Sequence, residues 1–306
     1  MRRLILVYNR RSSSFWRVEK EALAPARELK AWAIGKFEIA KTNVDDNAKR
    51  LARVLKDGDL VIAAGGDATA TIVVNGVMLS KAKNVRVGAM PFGNFNDVAR
   101  SLGSLKFEDI IKGDAQEVWP LECRVNGKHW RYGMCYFTAG MFAEACAVFD
   151  EPKVRARLKK KKHRHHLLFS LKTLVLWWLK RRKNEFLSDF VLGNSSEEYV
   201  NCVRTTDYMA VNGKTVAKMM RGGKWYLQDD YFLSATGKLR HLPKIGWFMA
   251  RSIVKRVPGV ESDYDRLVFK TPTNLMLQAE GEYKRLENVR LIEVKKAEKP
   301  ILAIMK

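Results

Sequence analysis

The chain has 306 residues, 47% of them hydrophobic, and 56 Lys+Arg against 33 Asp+Glu give a formal net charge of +23. The apolar content excludes global disorder, and the length allows one large domain or two ordinary ones. Cys123, Cys135, Cys146 and Cys202 show no CxxC spacing, which argues against a zinc site and fits a reducing cytoplasm better than a disulfide framework.

The N-terminal apolar run ends at Tyr8 and leads into Asn9-Arg10-Arg11. It is too short for the roughly 7–15-residue core of a signal peptide and reads as a first buried strand, over 4–8. Residues 19–29 read as a helix, 36–40 as a second strand, and 45–56 as a second helix. The apolar run at 60–64 ends in Gly65-Gly66-Asp67-Ala68-Thr69. Paired glycines after a buried strand mark a tight turn whose amides can approach an anion. A helix from Thr69 to Leu79 would aim its N-terminus at the same spot, so this segment suggests a phosphate site. A strand over 85–90 then leads into Pro91-Phe92-Gly93-Asn94-Phe95-Asn96-Asp97. Alternating strands and helices indicate a parallel sheet with its ligand at the strands' C-terminal ends. Both loops lie at such ends.

After about Leu105 the texture becomes β-rich. Residues 119–125 and 128–137 flank Asn126-Gly127 and read as a hairpin with a type I′ turn. Further strand-like runs lie at 186–192, 207–211, 267–270, 275–279 and 289–294, and 194–198 is a short polar loop. The expected organisation is an α/β domain over 1–118 and a β-rich antiparallel domain over 119–306, with a cleft between them and the last residues returning to the first domain.

From Lys153 to Lys183 there are thirteen Lys or Arg and no Asp or Glu. Within this stretch Leu167, Leu171, Leu174, Val175 and Trp178 share one helical face, while Ser170, Thr173 and Arg181 lie towards the other. The apolar block is too short to span a bilayer. A basic-flanked helix carrying tryptophans suits an anionic membrane surface. Nucleic acid is not expected as a partner, because no recognised nucleic-acid-binding module accompanies the charge.

The ordered motifs carry a family resemblance. Asn9 after the first strand, Thr42 after the second, Gly65–Thr69, Val74-Asn75-Gly76, Pro91 to Arg100, Asn212-Gly213, Gly222-Gly223, Asp229-Asp230 and Ala279-Glu280-Gly281-Glu282 follow one another as in the bacterial diacylglycerol kinase and YegS-like lipid kinases. These are relatives of sphingosine and ceramide kinases and, more distantly, of NAD kinases. The chain resembles that family over nearly its whole length. The resemblance implies an NAD kinase-like α/β nucleotide domain with a β-sandwich lipid domain, and an ATP- and Mg²⁺-dependent lipid kinase at the cytoplasmic face of the membrane. It implies that Asn9, Thr42, Gly65, Gly66, Asp67, Ala68, Thr69, Ala70, Thr71, Gly93, Asn94, Asn96 and Asp97 surround the nucleotide. Asp67 and Glu282 would be catalytic, Glu282 as the base that takes the proton from the lipid hydroxyl. Asp229 and Asp230 would help place Mg²⁺, and a homodimer is left open.

Several positions depart from the family pattern. Ala68 stands for a glycine, and a positive φ there would cost alanine about 1 kcal/mol. Thr71-Ile72 replaces Asn-Glu, Asn94 a threonine expected to contact nucleotide, and Phe95 a small residue, its bulk expected to narrow the ATP site; Tyr231 replaces a glycine. These departures keep a catalytically weak lipid-binding protein open as the rival reading. A small-molecule kinase of the NAD kinase type is disfavoured by the basic, tryptophan-bearing stretch.

Overall fold

Leu60–Gly65 is buried along nearly its whole length, as a strand covered by helices on both faces must be. The computed structural model describes residues 2–150, 153–154, 172–173, 175–176, 179, 190–194, 203–205, 207–218, 220–222, 226–237 and 242–306. The first sheet contains β1 (Arg2–Tyr8), β2 (Trp32–Glu38), β3 (Leu60–Gly65), β4 (Arg86–Pro91), β5 (Ala115–Val118) and, from the far end of the chain, β18 (Ile301–Ile304). Their order is β2-β1-β3-β4-β18-β5. All neighbours are parallel except β5, which runs antiparallel to β18.

Helical segments link these strands. They are α1 (Phe15–Val18), a π-wound turn Glu19–Leu23 and α2 (Ala24–Arg27), then α3 (Val44–Val54), α4 (Asp67–Leu79), α5 (Asp97–Ser101) and α6 (Phe107–Lys112). Side-chain alternation along the strands separates two cores. Ile5, Val7, Val61, Ala63, Val87 and Ala89 join Leu51 of α3 and Val73 of α4 on one face. Leu4, Leu6, Leu60, Ile62 and Ala64 join Val18, Ala22 and Ile110 on the other. Asn43 caps α3 by accepting a hydrogen bond from the Asp46 amide at 2.8 Å, which satisfies one of the helix's free N–H groups.

The remaining strands are β6 (Leu121–Val125), β7 (Lys128–Gly133), β8 (Tyr136–Gly140), β9 (Phe190–Asn194), β10 (Val203–Thr205), β11 (Asp207–Val211), β12 (Thr215–Val216), β13 (Met220–Arg221), β14 (Phe232–Gly237), β15 (Val260–Ser262), β16 (Tyr264–Ala279) and β17 (Glu282–Lys296). Ten of them form one antiparallel sheet, and β12 and β13 make a separate two-stranded ribbon. Asn126 (φ 51°) and Gly127 (φ 75°) both have positive φ, the type I′ geometry expected of the hairpin they close. The two runs expected at 267–270 and 275–279 are parts of the single long strand β16. Two helices pack beside this sheet, α7 (Met141–Asp150) and α8 (Leu242–Val254), and neither was expected from the sequence.

The basic stretch from Lys153 to Lys183, the loop over 194–198 and Gly223 fall outside the described residues, apart from the few positions named above. Of that stretch, Leu176 and Leu179 are exposed. Among the described residues no helix is long and apolar enough to cross a membrane.

The chain crosses between the sheets twice, after Val118 and after Lys296, and the crossings run side by side. The Ala297 amide donates to the Pro120 carbonyl at 2.8 Å, and the Trp119 amide to the Leu227 carbonyl at 2.8 Å. Buried Asn212 joins them. Its Nδ2 donates to the Trp119 and Met134 carbonyls, both at 2.9 Å, and its Oδ1 accepts from Lys296 Nζ at 2.6 Å. Truncating it strands one ammonium and two carbonyls in a buried junction. Asn212→Ala is expected to lower stability by about 2–4 kcal/mol, read as a lower midpoint in urea denaturation. A change under about 0.5 kcal/mol would contradict the junction's role.

Candidate active site

In the order β2-β1-β3-β4 the chain direction of growth reverses between β1 and β3, and ligands bind at such a switch point outside the carboxyl ends of the strands. Those ends carry Asn9, Thr42, Gly65-Gly66 and residues 92–97. Asn9 is half-buried, and its Oδ1 accepts from the Arg11 amide at 3.0 Å. Thr42 is exposed, and its Oγ1 accepts from buried Asn47 at 3.0 Å. Asn94 and Phe95 are exposed at the rim, Phe95 by 47%. Phe95 therefore does not fill the site, contrary to the narrowing expected of it.

The two central loops touch through glycines. A Cβ on Gly93 would lie 2.4 Å from Gly66 Cα, and one on Gly66 would lie 3.0 Å from Gly93 Cα. No side chain fits between these backbones. Asn96 holds the second loop: its Oδ1 accepts from the Gly93 amide at 2.7 Å and its Nδ2 donates to the Gly93 carbonyl at 2.8 Å. Asn96 itself takes a left-handed φ of 58°, which asparagine tolerates better than most residues. Gly65, Gly66, Asp67, Ala70, Asn96 and Ala99 line a shallow dent beside this contact.

Helix α4 begins at Asp67, two residues before the expected Thr69. Ala68 is therefore inside its first turn and has no positive φ. The cost expected from alanine at this position is absent, because the backbone there is ordinary right-handed helix. Thr69 and Ala70 are buried behind the turn. Thr71 Oγ1 donates to the Asp67 carbonyl and to Glu280 Oε2, both at 2.9 Å.

Three carboxylates meet here. Asp67 Oδ1 accepts from the Val98 amide at 3.1 Å, so the first loop's acid caps the second loop's helix. Asp97 is fully buried; its Oδ1 accepts from Thr215 Oγ1 at 2.6 Å and from the Lys218 amide at 2.9 Å. Its Oδ2 is buried with no partner. Glu280 Oε1 accepts from the Cys135 amide at 2.5 Å. Burial pushes Asp67 up to about 7, and the charge of Asp97 adds to the rise. Burial also raises Asp97, against its bonds from Thr215 and the Lys218 amide. Glu280 is pushed up to about 8 by burial, opposed by the Cys135 amide and raised further by Asp67.

Glu280 and Gly281, with φ of 50° and 85°, form the two-residue turn between β16 and β17. This turn delivers Glu280 into the site while Glu282, opening β17, stays half-buried. Glu280, Thr215 and the Lys218 and Cys135 amides were not singled out from the sequence. Their signal is purely tertiary, since each belongs to the second sheet or its ribbon.

Asp229 and Asp230 lie in a different place, the loop that holds Lys296. Lys296 Nζ donates to the Tyr226 carbonyl at 2.5 Å as well as to Asn212. Burial pushes this ammonium down to about 7, against the charges of Asp229 and Asp230. The ammonium thus lies against the same loop as Asp229 and Asp230, apart from Asp67 and Asp97. Among the described residues no group of three or more His, Cys, Asp or Glu could hold a metal. Asp67 and Asp97 do fit Mg²⁺, which takes one or two carboxylates together with substrate phosphates. The unpartnered Asp97 Oδ2 is the observation that supports this.

The site lies where the α/β sheet meets the β-rich sheet. The family model of the diacylglycerol kinase catalytic domain matches residues 3–119, so that part of the chain is similar to diacylglycerol kinase catalytic domains. A curated diacylglycerol kinase of Bacillus subtilis (strain 168) is 34% identical over 114 residues, 37% of this chain. The matched stretch spans only 36% of that relative's length. The crystal structure of a diacylglycerol kinase from Bacillus anthracis str. Sterne superposes with a TM-score of 0.67 at 13% identity, covering 100% of this chain and 97% of that one. At that identity the superposition shows the two-domain fold.

The buried glutamate gives a pH test. Its folded pKa lies above the ordinary 4.5, so between about pH 4.5 and 8 the folded state binds more protons than the unfolded one. The stability cost is absent below that window, grows through it, and is complete above it. Glu280→Gln keeps the shape and removes the charge. Relative to the parent it should gain on the order of a few kcal/mol between pH 5 and pH 8.5, measured by urea denaturation. An equal difference at both pH values would contradict the assignment.

Proposed function

We propose that the protein is an ATP-dependent lipid kinase that transfers the γ-phosphate to a lipid hydroxyl at an anionic membrane surface. The observation that carries this reading is the Gly66–Gly93 contact, which sets Asp67 and the unpartnered oxygen of Asp97 beside the N-terminus of α4. Anions favour helix N-termini. A bound triphosphate would lie on the Gly65–Thr71 turn, with Asn9, Thr42 and Asn94 on its rim. Arginines are tied to the surrounding loops: Arg17 to the Pro91 carbonyl, Arg100 to the Phe95 carbonyl and Arg11 to Asn9. Phosphoryl transfer is served mainly by positioning and charge stabilisation, which such a ring supplies.

Asp67 and Asp97 would hold Mg²⁺, which when bound offsets phosphate charge. Glu282 is the better base of the two turn glutamates. Both Glu280 oxygens are engaged inside the protein, whereas Glu282 is half-buried at the start of its strand. Glu280 instead ties Thr71 to Cys135, and so ties the phosphate turn to the second sheet. Glu282 would accept the proton of the lipid hydroxyl as that oxygen attacks. The lipid would reach it through the cleft between the sheets, with the basic stretch from Lys153 to Lys183 on the bilayer and the cytoplasmic leaflet as its working surface. The rival reading of a degenerate binding protein loses its main support with the helical conformation of Ala68.

Purified protein with Mg–ATP and a panel of lipids in anionic vesicles should yield lipid phosphate. Asp67→Ala and Glu282→Ala are each expected to lower kcat by about 10²–10⁴-fold. Vesicle binding without turnover on any lipid would instead establish the binding-protein reading.

A further inference from the structure

Helix α8 has two unlike faces. Phe248 and Ser252 are buried, and Phe248 stacks at 5.1 Å on Phe142 of α7. On the other side Trp247, Arg251 and Val254 fall on one stripe at i, i+4 and i+7. Trp247 is 59% exposed and Val254 69% exposed, with Ile253 beside them and Val260 exposed just beyond the helix. Large apolar side chains clustered in solvent are the unusual observation, since scattered ones are normal.

Along the helix and up to Val260 the charge has one sign, with Glu261 the first acid beyond. Residues 242–260 include Lys244, Arg251, Lys255 and Arg256 and no Asp or Glu, and all four cations are exposed. Arg251 lies over the Trp247 ring at 5.3 Å. An exposed aromatic and aliphatic stripe flanked only by cations matches the headgroup region of an anionic bilayer, which takes up both features. An acidic protein groove would match the cations but not the exposed Trp247, Ile253 and Val254 between them.

The helix is also wired to the site. The Val257 amide, just past α8, donates to the Arg221 carbonyl of β13 at 2.9 Å. Arg221 pairs with Thr215 of β12, and Thr215 Oγ1 donates to Asp97. A surface seated on α8 is thus a single ribbon away from the carboxylate pair.

We propose that the outward stripe of α8, with Trp247, Ile253 and Val254 among Lys244, Arg251 and Lys255, docks on an anionic phospholipid bilayer. It is a second membrane contact, separate in sequence from the stretch Lys153 to Lys183. Its use in substrate capture rests on the lipid-kinase reading; the docking itself does not, and its test reads no phosphoryl transfer.

The test is co-sedimentation of the full chain, without nucleotide, at about 0.15 M salt. One set of vesicles is pure phosphatidylcholine and the other contains about a third phosphatidylglycerol. The parent should prefer the anionic vesicles by at least about tenfold. Trp247→Ser/Val254→Ser and, separately, Lys244→Gln/Arg251→Gln/Lys255→Gln should each lose about tenfold or more of that binding. The charge variant alters only exposed side chains, so it keeps the test valid if the apolar variant fails to fold; circular dichroism checks both. In the parent, the emission component removed by Trp247→Phe should shift to the blue on anionic vesicles. Parent-like binding by both multiple variants, with loss only when Lys159–Lys162 are changed to Gln, would overturn the proposal. So would a parent that ignores both vesicle types, or a dimer in size-exclusion chromatography that Trp247→Ser/Val254→Ser converts to monomer.

Discussion

Burying Asp97 and Glu280 beside Asp67 costs desolvation energy that the protein's own hydrogen bonds return only in part. The rest of the junction is arranged around that cost. Amides from Val98, Lys218 and Cys135 and hydroxyls from Thr71 and Thr215 are spent on these three acids. They come from both sheets, so the acids tie the two halves of the molecule together. One oxygen of Asp97 still lacks a partner. In the proposed kinase reading, this oxygen is where a cation arriving with its ligand would sit.

The same logic explains why the two acidic places in the chain behave differently. Near Asp229 and Asp230 stands Lys296 at the end of β17, whose ammonium feels the charge of both while it donates to Asn212 and the Tyr226 carbonyl. That ammonium also fixes the side-by-side crossings of the chain between sheets. Among the described residues no lysine or arginine forms an ion pair with Asp67 or Asp97.

The parallel sheet and both glycine loops were legible in the sequence because each signal is local. Leu60 to Gly65 is an apolar run with its turn attached, and Asn126-Gly127 carries its own turn chemistry. The start of α4 was misplaced by two residues because Asp67 serves as helix first turn and as cap of a second helix at once. Glu280 was passed over for Glu282 because both sit on one exposed-looking Glu-Gly-Glu turn. Only the left-handed conformation of Glu280 and the Thr71 hydroxyl opposite it decide which carboxylate goes inward. Helix α8 escaped notice because Pro243, Gly246 and the basic residues dilute its period, and Trp247, Ile253 and Val254 put large apolar side chains on its outward side as well.

The central claim is that Asp67 and Asp97 await a cation delivered with phosphate. It is tested most directly by titrating Mg–ATP into the protein near pH 6.5 in buffers of different ionisation enthalpy and following the heat. Asp67, with its pKa raised to about 7, is partly protonated there and must give up its proton to hold a metal. The account predicts net proton release that disappears in Asp67→Asn. Binding heat independent of the buffer, or proton release unchanged by that substitution, would contradict it.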